Sequence, residues 1–104
     1  MCEYVFYVTA GSNEEARNIG SILVEEKLAA CVNIINNIHS IYKWKGKIEY
    51  DTENLLIIKT TGEKSNDLIR KIREIHSYEN PECIGLKIER GSDEYLNWIR
   101  DVLT

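Results

Sequence analysis

One short segment concentrates polar side chains that could bind a ligand. It is HSYENPE, residues 76–82, which holds one of the two histidines and the only proline of the chain. An imidazole, a phenol and a carboxylate within four residues can together hold a cation or a polar ligand. The alternative is an elbow. His76 would end a helix, where the dipole favours an imidazolium and free carbonyls lie within reach, and Pro81 forces Asn80 out of the helical conformation.

The thiols are a second source of chemistry. The chain has three cysteines, at positions 2, 31 and 83, and none forms a C-x-x-C pair. This spacing disfavours both a zinc knuckle and a thioredoxin-type redox pair. Cys31 stands in an apolar segment, where a buried structural cysteine and a Cu(I) ligand are the two interpretations, and one thiolate alone is not a site. Free thiols indicate a reducing compartment, most simply the cytoplasm.

Composition and motifs exclude several functional classes. The net charge of −4 and the pI of about 5.2 disfavour a nucleic-acid partner, because binding to phosphates needs clustered lysine and arginine. We find neither a secretory signal pattern nor an apolar run of the roughly 20 residues that span a bilayer. No glycine-flanked serine, H-E-x-x-H or P-loop is present. The sequence therefore predicts a non-enzymatic protein with no membrane or nucleic-acid partner.

The elements that position these residues follow from periodicity and turn signals. Ser12 and Glu15 are spaced as a capping box at the start of a helix. Lys45-Gly46 predicts a tight turn in the middle of a long β-hairpin. In chain order we predict strand 3–9, helix 12–27, a hairpin from 30 to 59, helix 63–75, strand 82–89 and a last helix from residue 92.

This order, β-α-β-β-α-β with an extra C-terminal helix, predicts one α+β domain over residues 1–104. Right-handed crossovers turn it into a ferredoxin-like sandwich, with an antiparallel sheet and two helices on one face. The last helix or other subunits must cover the opposite face. The hairpin carries Tyr42 and Trp44 toward its tip, and an exposed aromatic hairpin of this length is typical of a chain that meets a partner. An oligomer is therefore expected.

Three segments within this order are similar to those of one family. They are LAACVN at 28–33, SIYKWKGKIE at 40–49 running on to LLIIKT at 55–60, and HSYENPE at 76–82 with EYLNWI near the end. In order and spacing they resemble the CutA divalent-cation-tolerance family across nearly the whole chain. The resemblance implies a cytoplasmic, metal-responsive homotrimer of ferredoxin-like subunits with a PII-like trimer architecture. It implies no catalytic reaction.

The resemblance also implies roles for individual residues. Cys31 and His76 match positions proposed to bind copper or other divalent ions. Further residues match the signature that lines clefts between subunits: Tyr42, Trp44, Lys59, Tyr78, Glu79 and Glu82. Val8 and Ile75 stand where some members have a further cysteine and histidine, so the fuller copper-ligand set is missing and weak binding is expected. Cys83, where the family is usually apolar, is a candidate additional ligand.

Other functions fit the same fold. A PII-like signalling or scaffold trimer would bind a small anionic metabolite or a protein partner in the cleft, with Lys59 as the anchor and Trp44 or Tyr78 stacking on the ligand. An acylphosphatase would want an arginine after the first strand, and residues 9–13 contain none. A heavy-metal carrier would need C-x-x-C in that loop. An RNA-recognition domain would need aromatics on its central strands, which residues 55–59 lack.

Overall fold

This computed structural model describes residues 2–104. They form a four-stranded sheet and three helices. The predicted order is confirmed. The elements are β1 (Glu3–Ala10), α1 (Asn13–Glu25), β2 (Cys31–Trp44), β3 (Lys47–Thr61), α2 (Gly62–Ile75), β4 (Cys83–Lys87) and α3 (Asp93–Val102). The fourth strand is shorter than predicted. Within residues 2–104 no helix has the length and apolar character needed to cross a bilayer.

The sheet has the strand order β2-β3-β1-β4, and all neighbours are antiparallel. This is the ferredoxin-like order predicted from the β-α-β-β-α-β sequence. Phe6 on β1 lies opposite Ile58 on β3 and Gly85 on β4. A Cβ atom at Gly85 would lie 2.5 Å from the Phe6 ring. Glycine at this position therefore lets the short edge strand pair closely with β1.

The first helix begins as the capping pattern predicts, but only half of the capping box forms. The Ser12 hydroxyl accepts a hydrogen bond from the backbone N–H of Glu15 at 3.1 Å. The Glu15 carboxylate does not reach back to Ser12. It accepts instead from the backbone N–H and the hydroxyl of Ser77, at 2.8 and 2.9 Å. The predicted reciprocal cap is therefore replaced by a tie between α1 and the segment after α2.

The hydrophobic core lies between the sheet and the helices α1 and α2. Its fully buried side chains come from both layers: Val8, Ile19, Leu23, Leu56, Ile58, Leu68 and Ile72. On the opposite face, which we call the back face, α3 covers part of the sheet, with Ile99 and Leu103 buried. Arg100 on α3 donates to the carboxylate of Glu3 on β1 at 2.5 Å. The last helix therefore supplies part of the cover that the back face needs.

The hairpin formed by β2 and β3 extends well beyond the helices. Its strands have 14 and 15 residues and pair as far as Trp44 and Lys47. Lys45 and Gly46 have φ values of 50° and 80°, as the favoured two-residue hairpin turn requires. A β-bulge interrupts the pairing between Ile35 and Ile38. The molecule is accordingly elongated, with extents of 44 × 25 × 22 Å.

Candidate functional site

His76 lies at the C-terminal end of α2, where the sequence predicts it, but its ring does not cap that helix. The side chain is fully buried. Nε2 lies 2.7 Å from the carbonyl oxygen of Thr9 on β1, and Nδ1 accepts from the backbone N–H of Tyr78 at 3.0 Å. A carbonyl only accepts and a backbone N–H only donates, so these bonds require the Nε2–H tautomer. His76 therefore fastens the end of α2 to β1.

Tyr78 extends the same contact network to the hairpin. Its hydroxyl donates to the carboxylate of Glu53 on β3 at 2.6 Å, and Glu53 is buried. Burial, and then the hydrogen bond to Glu53, raise the pKa of Tyr78. The Glu15 carboxylate lies 3.7 Å from Nδ1 of His76. We call these four side chains, Glu15, Glu53, His76 and Tyr78, the elbow cluster.

Two residues at the start of β4 also have shifted pKa values. Burial, and then the nearby charge of Glu53, raise the pKa of Glu82. Burial, and then the charge of Glu82, raise the pKa of Cys83 to about 11. Because a metal binds the thiolate, a thiol with a raised pKa is a poor ligand at neutral pH. Glu79, in the middle of the elbow, is exposed.

The aromatic side chains of the hairpin lie farther toward the tip. The Tyr42 hydroxyl bonds the carboxylate of Asp51 on the paired strand. This bond is the main reason that the pKa of Tyr42 is raised to about 12. Trp44 stands at the turn, with the ammonium of Lys45 over its ring at 5.6 Å from the centroid. Both aromatic side chains are about 40% exposed, at 41% and 38%.

The other predicted site residues lie on the back face at the opposite end of the sheet. Cys31 and Lys59 are register partners, and Asn33 lies two residues farther along β2 on the same face. The Lys59 ammonium donates to the side-chain oxygen of Asn33, and the Cys31 thiol lies 3.8 Å from that oxygen. Burial, and then Cys31, raise the pKa of Tyr95 on α3. We call these four residues the back-face cluster.

Within one chain the two clusters are far apart. Glu53 and Lys59 are six residues apart on β3, which is about 20 Å at the usual rise. Thr9, which bonds His76, pairs with Leu55, four positions before Lys59. His76 and Cys31 are therefore separated by about 13 Å along the strands, whereas a metal–ligand bond is about 2 Å long. Between residues 2 and 104, no three His, Cys, Asp or Glu side chains are grouped to hold a metal ion.

The sequence analysis did not identify the β3 carboxylates that accept hydrogen bonds from Tyr42 and Tyr78. Glu49, Asp51 and Glu53 alternate along β3, so they share one face of the strand. That period of two in the segment EYDTE was the available signal. Glu15 was assigned to the helix cap, and nothing local distinguishes that role from its observed bond to Ser77. Such a bond joins residues 62 positions apart in the chain.

The chain matches known proteins over nearly its whole length. The family model of the CutA1 divalent ion tolerance protein matches residues 4–102. The protein CutA homolog of Xenopus laevis is 50% identical over 97 residues, which are 93% of this chain and 64% of that relative. The divalent-cation tolerance protein CutA of Thermus thermophilus is 44% identical over 99 residues, covering 95% and 96%. The chain thus spans less than two thirds of the Xenopus relative but nearly all of the Thermus protein.

Solved structures agree with the sequence matches. The structure of the periplasmic divalent cation tolerance protein CutA from Archaeoglobus fulgidus superposes with a TM-score of 0.95 at 43% identity, covering 98% of this chain and 99% of that one. CutA1 from Oryza sativa superposes with a TM-score of 0.95 at 39% identity, covering 98% and 94%. Sequence and fold agree over the same residues, and the chain belongs to the CutA1 divalent ion tolerance protein family.

Proposed function

We propose that the protein is a non-enzymatic, cytoplasmic homotrimer that responds to metal ions and binds copper or another divalent cation weakly at clefts between subunits. The observation that carries the proposal is the separation of the two clusters. Cys31 and Lys59 lie on the back face, and Tyr42, Tyr78 and Glu82 lie near the hairpin and the elbow. A projecting hairpin can bring one set to the other only across a subunit boundary.

Exposed apolar surface supports the assembly. On the back face Ile35, Ile84 and Leu86 are 48%, 54% and 54% exposed. Near the hairpin tip Ile41 and Tyr50 are exposed to 68% and 72%. Ile84 and Leu86 share one face of β4, and Ile41 and Tyr50 are register partners, so each pair forms an exposed apolar patch. Such patches mark an interface, and association removes them from water. Neighbouring copies that cover these two surfaces would form a closed ring, as the PII-like architecture does.

The available donors support weak metal binding. The partly buried Cys31 thiol makes a long contact to the side-chain oxygen of Asn33, at 3.8 Å. A soft metal therefore displaces little when it binds this sulfur. His76 is a more costly ligand, because a metal on Nδ1 displaces the N–H of Tyr78. Glu79 and Glu82 supply oxygen ligands for a harder cation. Loss of a backbone hydrogen bond on binding is the physical reason for low affinity.

Titration of Cu(I) and Cu(II) into the wild type and the Cys31→Ser, His76→Ala double variant tests the metal site. We expect copper affinity to fall at least about tenfold in the double variant. Cys83→Ser is the matched control, since its thiol stays protonated at neutral pH, and it should bind like the wild type. Equal copper affinities in the wild type and the double variant would contradict the proposed metal site. Light scattering should give the mass of three chains.

A second candidate is a PII-like trimer that holds a small anionic metabolite. The observation in its favour is that Lys59 bonds an amide oxygen and forms no salt bridge with any residue from 2 to 104. Its positive charge is thus available to an anion. A thermal-shift screen of nucleotides and carboxylic acids tests this. A rise in the melting temperature that Lys59→Gln abolishes supports it, and no rise with any compound counts against it.

A further inference from the structure

A polar cavity lies beside the N-terminus of α1. Its volume is about 480 Å³. The residues that line it are small or polar: residues 11–13, Asn36, Asn37, Thr52 and Asn54. Asn54 follows Glu53 on β3, and successive side chains of a strand point to opposite faces of the sheet. The cavity is therefore on the opposite face from the Glu53 carboxylate, and none of its lining residues is charged.

The side-chain oxygen of Asn54 is a hydrogen-bond acceptor without a partner. Asn54 is only 7% exposed, and its Nδ2 donates to the carbonyl oxygen of Ala10 at 3.4 Å. Its Oδ1 accepts no hydrogen bond from any residue between 2 and 104. Every side-chain nitrogen or oxygen that these residues bury completely does have a partner. Oδ1 is therefore accessible from the cavity that Asn54 lines.

Backbone donors surround this acceptor at the start of α1. The first N–H groups of a helix have no acceptor within that helix. The hydroxyl and the carbonyl of Ser12 accept from the N–H groups of Glu15 and Ala16. The N–H groups of residues 11–14 have no backbone acceptor within the described part of the chain. They stand at the positive end of the helix dipole, where an anion is favoured.

The charged groups around the cavity are also suited to an anion. Arg17 is one turn from Asn13 on α1, and both line an adjoining groove. Arg17 forms no ion pair with any other residue from 2 to 104. The Glu15 carboxylate is occupied by Ser77, and Glu14 is exposed, so solvent and salt screen its charge. The Arg17 guanidinium therefore supplies the positive charge that the lining itself lacks.

We propose that this cavity binds inorganic phosphate in a form that carries a hydroxyl hydrogen. The N–H groups of residues 11–13 donate to phosphate oxygens, and the P–OH group donates to Oδ1 of Asn54. Phosphate keeps a hydroxyl hydrogen at neutral pH, whereas sulfate has none and directs a lone pair at Oδ1. Because an acceptor that loses water without gaining a donor is costly, the site selects phosphate over sulfate. It is separate from Lys59 and from the proposed metal ligands, so it goes beyond the proposed function.

Titration of phosphate into nitrogen-15-labelled protein, followed by NMR at about pH 7 and constant ionic strength, tests the proposal. We expect the amide signals of residues 11–14 to shift with a Kd of about 1 mM. Sulfate should bind at least about fivefold more weakly. Methyl phosphate, which at this pH is mainly the dianion without a hydroxyl hydrogen, should resemble sulfate. This comparison separates free phosphate from a phosphate monoester.

Three variants separate the acceptor from the charge. Asn54→Ala removes Oδ1, so phosphate and sulfate should bind it with equal affinity. Arg17→Gln should weaken both anions about threefold and keep the preference for phosphate. Arg90→Gln is the matched control, because it removes the same charge beyond β4, at the opposite end of the sheet from the cavity. It should change neither affinity, and circular dichroism checks that each variant is folded.

Three results overturn the proposal. The first is that phosphate up to about 20 mM leaves the amide signals of residues 11–14 unshifted. The second is that the wild type binds sulfate or methyl phosphate as tightly as phosphate. The third is that a folded Asn54→Ala variant still prefers phosphate to sulfate. If Asn54→Ala does not fold, the wild-type comparison and Arg17→Gln decide the question, because equal phosphate affinities in the wild type and Arg17→Gln also contradict the site.

Discussion

The two halves of β3 belong to one strand and pair with the same neighbour, yet their surroundings differ. Residues 54–61 lie between β1 and β2 under the helices, and Leu56 and Ile58 are fully buried. Residues 47–52 pair with β2 alone, and Ile48 and Tyr50 are 60% and 72% exposed. Both halves contain β-branched residues. The difference shows that cover from other elements, and not strand pairing, decides which half belongs to the core.

The halves meet at Glu53. This carboxylate is 6% exposed, although it follows the solvated residues Asp51 and Thr52. Tyr78 reaches it from the elbow, and His76 holds the elbow against β1. The elbow cluster therefore marks the point where the hairpin leaves the body of the protein. Substitutions on each side of that point are expected to act differently.

The largest effect is expected in the covered half. Leu56→Ala removes a fully buried side chain and should lower the free energy of unfolding by about 3 kcal/mol, through lost burial and the cavity left behind. Ile48→Ala, in the projecting half, should lower it by about 1 kcal/mol or less. Urea denaturation followed by circular dichroism measures both. Equal losses would contradict the contrast between the two halves.

For assembly of the trimer, we expect substitutions in the projecting half of β3 to have the larger effect. Ile48→Asp places a charge on the exposed part of the hairpin, and a covered interface tolerates an unpaired charge poorly. We expect this variant to keep its secondary structure but to lose the mass of three chains in light scattering. Lys64→Asp on α2 introduces the same residue away from the hairpin and should remain assembled. Retention of the trimer by Ile48→Asp would contradict a role for the tip in assembly.

A smaller effect is expected at the junction. Tyr78→Phe leaves the buried Glu53 carboxylate without the 2.6 Å hydrogen bond of the phenol, which should cost about 1.5 kcal/mol of unfolding free energy. Hydrogen exchange near residue 53 should also become faster, because the base of the hairpin is less firmly held. Tyr50→Phe, at a site that is 72% exposed, is the matched control and should change neither quantity. If Tyr78→Phe changes neither the free energy of unfolding nor hydrogen exchange near residue 53, Tyr78 does not hold the base of the hairpin.

The smallest effect concerns ionisation at the tip and not stability. The hydrogen bond and the charge of Asp51 raise the pKa of Tyr42 to about 12. Asp51→Asn removes the negative charge that opposes formation of the phenolate, so the pKa of Tyr42 should fall toward about 10. Carbon-13 NMR of labelled tyrosine measures it. Asp101→Asn on α3 should leave it unchanged, and an unaltered Tyr42 pKa in Asp51→Asn would show that the two side chains do not interact.

Much of the fold could be predicted because its signals are local. The tight turn at Lys45-Gly46 needs positive φ values, and the pairing of lysine with glycine at the centre of the hairpin indicates it. The Ser12 cap and the helical spacing of the apolar residues also depend on near neighbours. The early end of β4 at Lys87 could not be predicted, because a strand ends where its partner stops pairing with it.

The candidate site was predictable in composition and not in arrangement. Cys31, Lys59, His76 and Tyr78 were identified by residue type and by resemblance. Their sequence positions did not show that His76 would bond Thr9 with one ring nitrogen and Tyr78 with the other. Those bonds depend on how α2 crosses the sheet. Residue type thus identifies the groups that can bind, while packing determines which of their atoms remain free.

The sequence by itself determined the order of strands and helices, the periodicity of apolar residues within them, the hairpin turn and the family. These properties follow from interactions between residues that are close in the chain, or from patterns that extend along it. Only the tertiary structure decided that Glu15 ties down Ser77, that Glu53 is buried beneath Tyr78, and that the back-face cluster lies far from the elbow cluster. Contacts between distant residues depend on the packing of whole elements, and no local propensity encodes that packing.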